Sequence, residues 1–337
     1  MGVKKICKLC PHRCNFNILS ARGLCHLIGP NQLLMDNKIF IRRSNIELTG
    51  FFHFFPGHEC LEISLPSCNL RCTFCEKERK SYSITSLTDL SKIPEKENRK
   101  MIIVLDCSFS ILPPPLINKI IELKHRYPCI YISHITNGFI EKERFIKLMR
   151  NFDALLVRFF GFSDLAYSRV SIAPRAWRYA AEITKTALEN NIFLELSYTI
   201  IPGYNEEDYA LFLRWLVSLK AFKIPLHIKR FYPRYLLKDK APTRTKLLME
   251  AFNKAKRMGF HYVYIDDIYE GKARNTYCPN DGSLLIRRVG YFVDALGITD
   301  SHCKKCGEKI PIKGEISSHN LKALFKVPGE KIEGWRG

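Results

Sequence analysis

Short apolar runs recur through the middle of the chain at 61–66, 101–106, 129–135, 153–159, 192–199 and 226–231, each of strand length and rich in branched and aromatic side chains. Amphipathic stretches fill the intervals, and a spacing of roughly 25 to 40 residues leaves room for a helix in each crossover. Strands joined this way run parallel. The pattern therefore predicts an α/β fold of six βα units, enough for an open, partial (β/α)6 TIM-like barrel. An amphipathic helix over 242–258 and a seventh strand-like run, His261-Tyr262-Val263-Tyr264-Ile265, follow it. Barrels of this kind keep their working residues at the carboxyl ends of the strands. Three domains are predicted: a Cys-rich N-terminal extension over 1–57, the barrel over 58–270, and a zinc-ribbon-like C-terminal module with a basic tail over 271–337. Residues 86–99 read as a solvated loop or weak helix, and Pro113-Pro114-Pro115 stiffens the start of the next helix.

Cysteines carry the candidate chemistry. Directly after the first strand comes Ser67-Cys68-Asn69-Leu70-Arg71-Cys72-Thr73-Phe74-Cys75, with thiols at i, i+4 and i+7. Three thiolates so spaced in a loop can hold three corners of a cubane [4Fe–4S] cluster, leaving one iron for a small molecule; zinc also takes soft thiolates. A structural zinc wants a closed set of four, and the nearest other candidates, His58 and Cys60, precede the strand at its far end. Near the N-terminus Cys7, Cys10, Cys14 and Cys25 lie within nineteen residues, a set that suits zinc or an auxiliary Fe–S cluster. At the other end Cys278 and the pair Cys303 and Cys306 have zinc-ribbon spacing, with Asp281 where a second cysteine is expected. Asp281 or His302 can complete that tentative zinc site. Cys60 and Cys129 read as core residues, and Cys107 as a strand-end thiol that is structural before it is reactive.

The loop at Cys68, Cys72 and Cys75, with an aromatic before its last cysteine, resembles the signature of radical S-adenosylmethionine (SAM) enzymes. Further segments resemble one branch of them, the AmmeMemoRadiSam-system radical SAM enzymes, which are related to pyruvate formate-lyase activating enzyme. These segments are Cys7-Lys8-Leu9-Cys10-Pro11-His12-Arg13-Cys14, Arg22-Gly23-Leu24-Cys25, Phe52-His53-Phe54-Phe55-Pro56-Gly57, Ile200-Ile201-Pro202-Gly203-Tyr204-Asn205, Arg230-Phe231-Tyr232-Pro233 and Asn275-Thr276-Tyr277-Cys278-Pro279-Asn280. The resemblance spans about residues 7 to 310. It implies a radical SAM barrel in which Cys68, Cys72 and Cys75 hold the cluster and the open iron chelates SAM. Reductive cleavage then gives a 5′-deoxyadenosyl radical that abstracts hydrogen from substrate. Phe74 would shield the cluster edge, and Asn137, in Thr136-Asn137-Gly138, would lie near the ligand or serve only its turn.

Two departures stand out. Where such enzymes carry a glutamate that contacts the SAM amine, this chain has Asp106-Cys107-Ser108-Phe109-Ser110, so the resemblance leaves that contact to Asp106 or to backbone carbonyls. Where the branch has Asp-Leu-Lys-Gly-Phe, this chain has Arg158-Phe159-Phe160-Gly161-Phe162. The planar fork of Arg158 suits the SAM carboxylate or an anionic substrate, or else a surface ion pair. On the sixth strand His227 and Arg230 are an odd number of residues apart and should face opposite sides.

Composition adds less. Thirteen cysteines behind a start that lacks an apolar leader point to a reducing, cytoplasmic setting, and no long apolar run suggests a membrane span. The formal net charge of +20 is spread along the chain without an RNA-binding fingerprint. It suits an acidic protein substrate, while a small molecule remains open; an RNA-binding or RNA-modifying protein, or a barrel that has lost SAM turnover and serves in interaction, are the alternatives. The chemistry implied by the resemblance also needs a reductant such as ferredoxin or flavodoxin.

Overall fold

The apolar runs hydrogen-bond side by side in the order in which they occur. The computed structural model describes residues 5–16, 24–25, 38–65, 68–75, 83–86, 100–106, 112 and 114–319. A small ribbon of β1 (Lys5–Ile6) and β2 (Asn15–Phe16) precedes β3 (Lys38–Asn45), the one-turn helix α1 (Ile46–Thr49) and β4 (Glu59–Ser64). Next come β5 (Ser83–Ser86), β6 (Met101–Asp106), α2 (Pro114–Arg126), β7 (Ile130–Thr136), α3 (Lys142–Met149) and β8 (Ala154–Phe159). The barrel continues through α4 (Asp164–Val170), α5 (Ala176–Glu189), β9 (Phe193–Ile200), α6 (Asp208–Ser218), β10 (Leu226–Arg230), α7 (Thr245–Arg257) and β11 (Val263–Ile265). The sheet order is β11-β10-β9-β8-β7-β6-β4-β3-β5. Every pairing from β4 to β11 is parallel, and β3 lies antiparallel between β4 and β5. The result is an open, mostly parallel α/β partial barrel, as the periodicity predicts. All seven predicted strands are present.

Alternation gives the sheet two faces. One carries Ile63, Ile103, Leu105, Ile132, Val157, Leu196, Ile228 and Ile265, packed against Leu116, Phe145, Ile183, Phe212 and Leu248 of the helices. The inner face carries Cys60, Ile102, Val104, Ala154 and Leu156 and is covered by Ile46, Phe51, Phe54 and Phe55. The chain after α1 therefore fills the base of the barrel. Asn45 caps α1 by accepting from the Glu47 N–H, and Gly50 ends it in the left-handed region at φ 100°.

Charged groups are buried where this plug meets the strands. Glu195 on β9 accepts from the Phe52 and His53 N–H groups at 3.0 and 2.9 Å and from His227 Nε2 at 2.8 Å. His227 Nδ1 donates to Asp266 Oδ1 at 2.6 Å, so both ring nitrogens face carboxylates. Burial acts to lower the His227 pKa, but Asp266 and Glu195 outweigh it and hold the imidazolium up to about 9.

The C-terminal module follows as the hairpin layers β12 (Thr276–Tyr277), β13 (Leu284–Val289) and β14 (Phe292–Ala295), then β15 (Ile298–Thr299) and β16 (His302–Cys303). Arg288 on β13 clamps it to the plug, donating to Glu47 Oε2 at 2.8 Å, the Phe52 carbonyl at 2.7 Å and Thr276 Oγ1 at 2.8 Å. Around these bonds Phe52, Tyr262, Tyr264, Leu285, Ile286 and Val293 form a separate apolar cluster. Cys129 is exposed, because it sits in the turn before β7 rather than on the strand, while Cys60 is buried as expected. Of the loop predicted over 86–99, Ser86 ends β5, and the rest, like Cys107, lies outside the described residues.

Candidate functional site

At the carboxyl end of β4 the chain leaves the sheet and runs across the barrel mouth as the loop 68–75. Asn137, just past β7, donates to Cys68 Sγ at 3.2 Å and Asn69 Oδ1 at 2.9 Å. Asn69 in turn donates to the Phe139 carbonyl at 2.8 Å. Gly138 makes this turn possible: its φ is 71°, and a Cβ there would lie 2.6 Å from the Ala180 Cα. Farther along the loop, the Thr73 N–H donates to the Val170 carbonyl at 2.9 Å, and the Thr73 carbonyl accepts from the Leu236 N–H at 2.9 Å. Arg71 bends it through the left-handed region at φ 46°. The loop is thus tied to β7, to α4 and to the turn after β10.

Cys68, Cys72 and Cys75 are half-buried. Phe74 is buried between Phe160 and Phe231, with ring centroids 5.3 and 6.1 Å away, and joins Leu70, Tyr167 and Val170 in an apolar cluster that Cys68 and Cys72 touch. That cluster keeps one side of the thiols dry. His12, from the N-terminal cysteine segment, reaches the loop with Nε2 2.7 Å from the Asn69 carbonyl. No periodicity marks His12; its position beside Cys10 and Cys14 was the available signal.

Two acid–base pairs lie on the inner face below the loop. Arg158 on β8 donates from Nη1 to Asp106 Oδ1 on β6 at 2.9 Å, reaching across β7. Arg158 is therefore a half-buried, ion-paired residue on the inner face of the sheet, and its partner carboxylate is nearly covered, with 5% of the side chain exposed. Deeper towards β11, Lys229 Nζ lies 3.3 Å from Asp266 Oδ2. As the odd spacing predicted, His227 points inward, while Arg230 points outward to Thr243 and Thr245. Lys229 and Asp266 were not singled out by sequence, although alternation from His227 places Lys229 on the inner face.

Backbone hydrogen bonding sets Cys7 beside Cys14 in the N-terminal segment. The Cys7 N–H donates to the Cys14 carbonyl at 2.8 Å, and the Leu24 N–H to Cys14 Sγ at 3.4 Å. Cys10 and Cys25 are buried. Burial, with the facing thiols of Cys14, Cys25 and Cys7, pushes the Cys10 pKa up to about 12. A neutral thiol there is costly to ionise without a cation beside it.

In the C-terminal module Cys278, Asp281, Cys303 and Cys306 bring four ligand atoms within 4.8 Å of one another. Cys278 Sγ and Cys306 Sγ are 3.5 Å apart, and Cys303 Sγ is 3.6 Å from Asp281 Oδ2. Tetrahedral zinc at a Zn–S distance of about 2.3 Å asks for S–S separations of about 3.8 Å. Ser283 orients Asp281, donating to Oδ1 from its N–H at 2.9 Å and its hydroxyl at 2.5 Å, which holds the carboxyl well below its usual range. His302 turns away to the Asp300 carbonyl, so Asp281 is the fourth member of the set.

No protein-family model matches the chain. An uncharacterized protein of Methanocaldococcus jannaschii is 29% identical over 323 residues, covering 91% of this chain and 95% of that protein. Among solved structures, TYW1 with a lysine-pyruvate adduct bound is 16% identical, with 63% of this chain and 77% of that chain covered at a TM-score of 0.43. A domain of pyruvate-formate lyase-activating enzyme from Bacteroides vulgatus is also 16% identical, with 43% and 86% covered at a TM-score of 0.35. Likenesses of this size leave function to be read from the chain's own residues. No helix among the described residues is long and apolar enough to cross a membrane.

Proposed function

We propose that the chain is a radical SAM enzyme of an AmmeMemoRadiSam-like branch, with Cys68, Cys72 and Cys75 as ligands of a [4Fe–4S] cluster. The observation that carries this reading is the placement of these thiols. They are half-buried, Cys68 is tied down through Asn137, and they lie over an inner face that holds the Asp106–Arg158 carboxylate–guanidinium pair. The donor set fits: soft thiolates suit iron–sulfur clusters, and an amide N–H donating to a thiolate sulfur tunes its potential. SAM carries an ammonium and a carboxylate on one carbon, and Asp106 and Arg158 are the complementary charges. Bound there, cluster and SAM would supply a 5′-deoxyadenosyl radical for hydrogen abstraction.

The chain's own residues do the rest. Asp106 receives the SAM ammonium and Arg158 the carboxylate, each exchanging part of the bond they make with one another. Phe74 and its apolar neighbours exclude water from one flank, while Asn137 holds Cys68 in place. A reductant such as ferredoxin or flavodoxin supplies the electron. The four N-terminal cysteines hold zinc or a second cluster, whose segment positions the loop through His12.

After anaerobic reconstitution, the protein is expected to show an electron paramagnetic resonance signal of a reduced [4Fe–4S] cluster that changes shape on adding SAM. A signal indifferent to SAM would contradict the assignment of Asp106 and Arg158. Cys278, Asp281, Cys303 and Cys306 form a structural zinc site in this account. Elemental analysis should find zinc that survives iron chelation, and Asp281→Ala should lose one equivalent of it while Asp281→Cys keeps it. Equal zinc in wild type and Asp281→Ala would remove Asp281 from the site.

A further inference from the structure

The cysteine loop has a dry side and a wet side. Leu70 and Phe74 are buried in the apolar cluster beneath it, while Arg71 between them is exposed. Two other segments are bonded to this stretch. The Ile172 N–H donates to the Leu70 carbonyl at 3.1 Å, next to the bond from the Thr73 N–H to the Val170 carbonyl. On the other flank the Leu236 and Leu237 N–H groups both donate to the Thr73 carbonyl, at 2.9 and 3.2 Å. Just before that contact the backbone passes through the left-handed region at Tyr235, φ 50°, an uncommon conformation for a bulky residue.

This collar shows solvent an apolar centre. Ile172, Tyr235 and Leu236 are 42, 45 and 65% exposed, and all three sit on segments bonded to residues 70–73. A lone exposed leucine is ordinary, but a group of large apolar side chains on one collar marks a contact surface. The charge around it has one sign. Residues 68–75, 168–175 and 232–240 carry Arg71, Arg169, Arg175, Arg234, Lys238 and Lys240 against a single acid, Asp239. None of these cations forms an ion pair among the described residues, whereas Arg178, a little farther along, pairs with Asp164. An apolar centre flanked by unpaired charges of one sign suits a transient, electrostatically steered interface.

Building on the radical SAM reading, which needs an electron delivered to the cluster, we propose that this collar docks a small acidic one-electron carrier protein. Thr73 is joined to Cys72, and Cys75 lies two residues on, so a carrier seated on Ile172 and Leu236 has only the loop's own backbone between it and two cluster ligands. Electron tunnelling falls steeply with distance, which makes that short separation the functional requirement. The carrier loses one electron and the cluster gains it; no proton moves and no bond is made or broken. An acidic rim on the carrier complements the cations of the collar. A carrier that must leave after each electron needs only a small contact, about 1,200 Å² or less. An RNA would ask for aromatic faces on which bases stack, and two of the three central side chains here are aliphatic.

The test is anaerobic stopped-flow mixing of the reconstituted, SAM-loaded protein with flavodoxin hydroquinone, a carrier of this class, read at the absorbance of the flavin semiquinone. The rate constant should fall at least tenfold as ionic strength rises from about 0.05 to about 0.5 M. At low salt Lys238→Glu/Lys240→Glu should slow the transfer tenfold or more, and Leu236→Ser severalfold with the salt dependence kept. Lys254→Glu/Arg257→Glu makes the same charge change on exposed residues at the far end of α7, at the barrel base, and should stay within twofold of wild type. Reduction of each protein by dithionite, followed by electron paramagnetic resonance, reads the cluster without any docking. Collar variants that accept electrons from flavodoxin as fast as wild type would overturn the proposal, as would equal slowing by the change on α7. Collar variants with unchanged transfer that lose a salt-sensitive gel shift of RNA would also overturn it and give the surface to nucleic acid. A cluster that dithionite reduces but flavodoxin does not would overturn the docking proposal alone. No cluster detected with dithionite would overturn the cluster assignment and the docking with it.

Discussion

Replacing His227 by alanine should lower the unfolding free energy by about 3–5 kcal/mol, the cost typical of removing one partner from a buried ionic group. The imidazolium lies between Glu195 and Asp266, and all three side chains are essentially buried. Its loss leaves two carboxylates facing each other around a cavity, while Glu195 must still accept from the Phe52 and His53 N–H groups. The plug at the barrel base should therefore loosen first. The effect also has a pH signature. The folded pKa of about 9 lies above the ordinary 6.5, so the stabilisation is complete below pH 6.5 and fades as pH rises through about 9. Asp266 behaves in the opposite sense. Burial alone would raise it, but His227 and Lys229 hold it down at about 2, so its contribution is present above pH 3.8 and is lost as pH falls through about 2. Denaturant unfolding of wild type and His227→Ala across this range reads both limbs. A stability difference that stays constant from pH 6 to 10 would contradict an imidazolium at this position.

Most of the architecture was legible from hydrophobic rhythm. Strands flanked on both sides by apolar neighbours read as continuous runs, which is why β6, with all six residues buried, was found to the residue. The plug was not legible. Phe51, Phe54 and Phe55 look like one more strand or a loop, and only the inner face of the sheet, from Cys60 on β4 to Leu156 on β8, gives them a place. Chemistry was legible where residue type and spacing are rare, as with Cys68, Cys72 and Cys75. It was not where common residues act through long-range pairing. Nothing local joins Arg158 to Asp106, 52 positions apart, or Arg288 to Glu47, 241 apart. In the C-terminal site, spacing named Asp281 and His302 equally; the backbone turn at Ser283 decided between them.

The largest expected effect belongs to Cys72. Each of the three thiolates is assigned one iron, and the loop offers no fourth cysteine to substitute among residues 68–75. Cys72 also touches the apolar cluster around Phe74, so alanine there removes a ligand while keeping the packing surface nearly intact. Cys72→Ala should fold, retain zinc in the C-terminal module and lose SAM cleavage altogether.

The decisive measurement is 5′-deoxyadenosine formed from SAM by the anaerobically reconstituted protein with a strong reductant, beside Cys72→Ala prepared in the same way. Steady formation by the wild type and none above background by the variant is the predicted result. No 5′-deoxyadenosine from wild-type protein carrying its full complement of cluster iron, or equal amounts from both proteins, would contradict the proposed function.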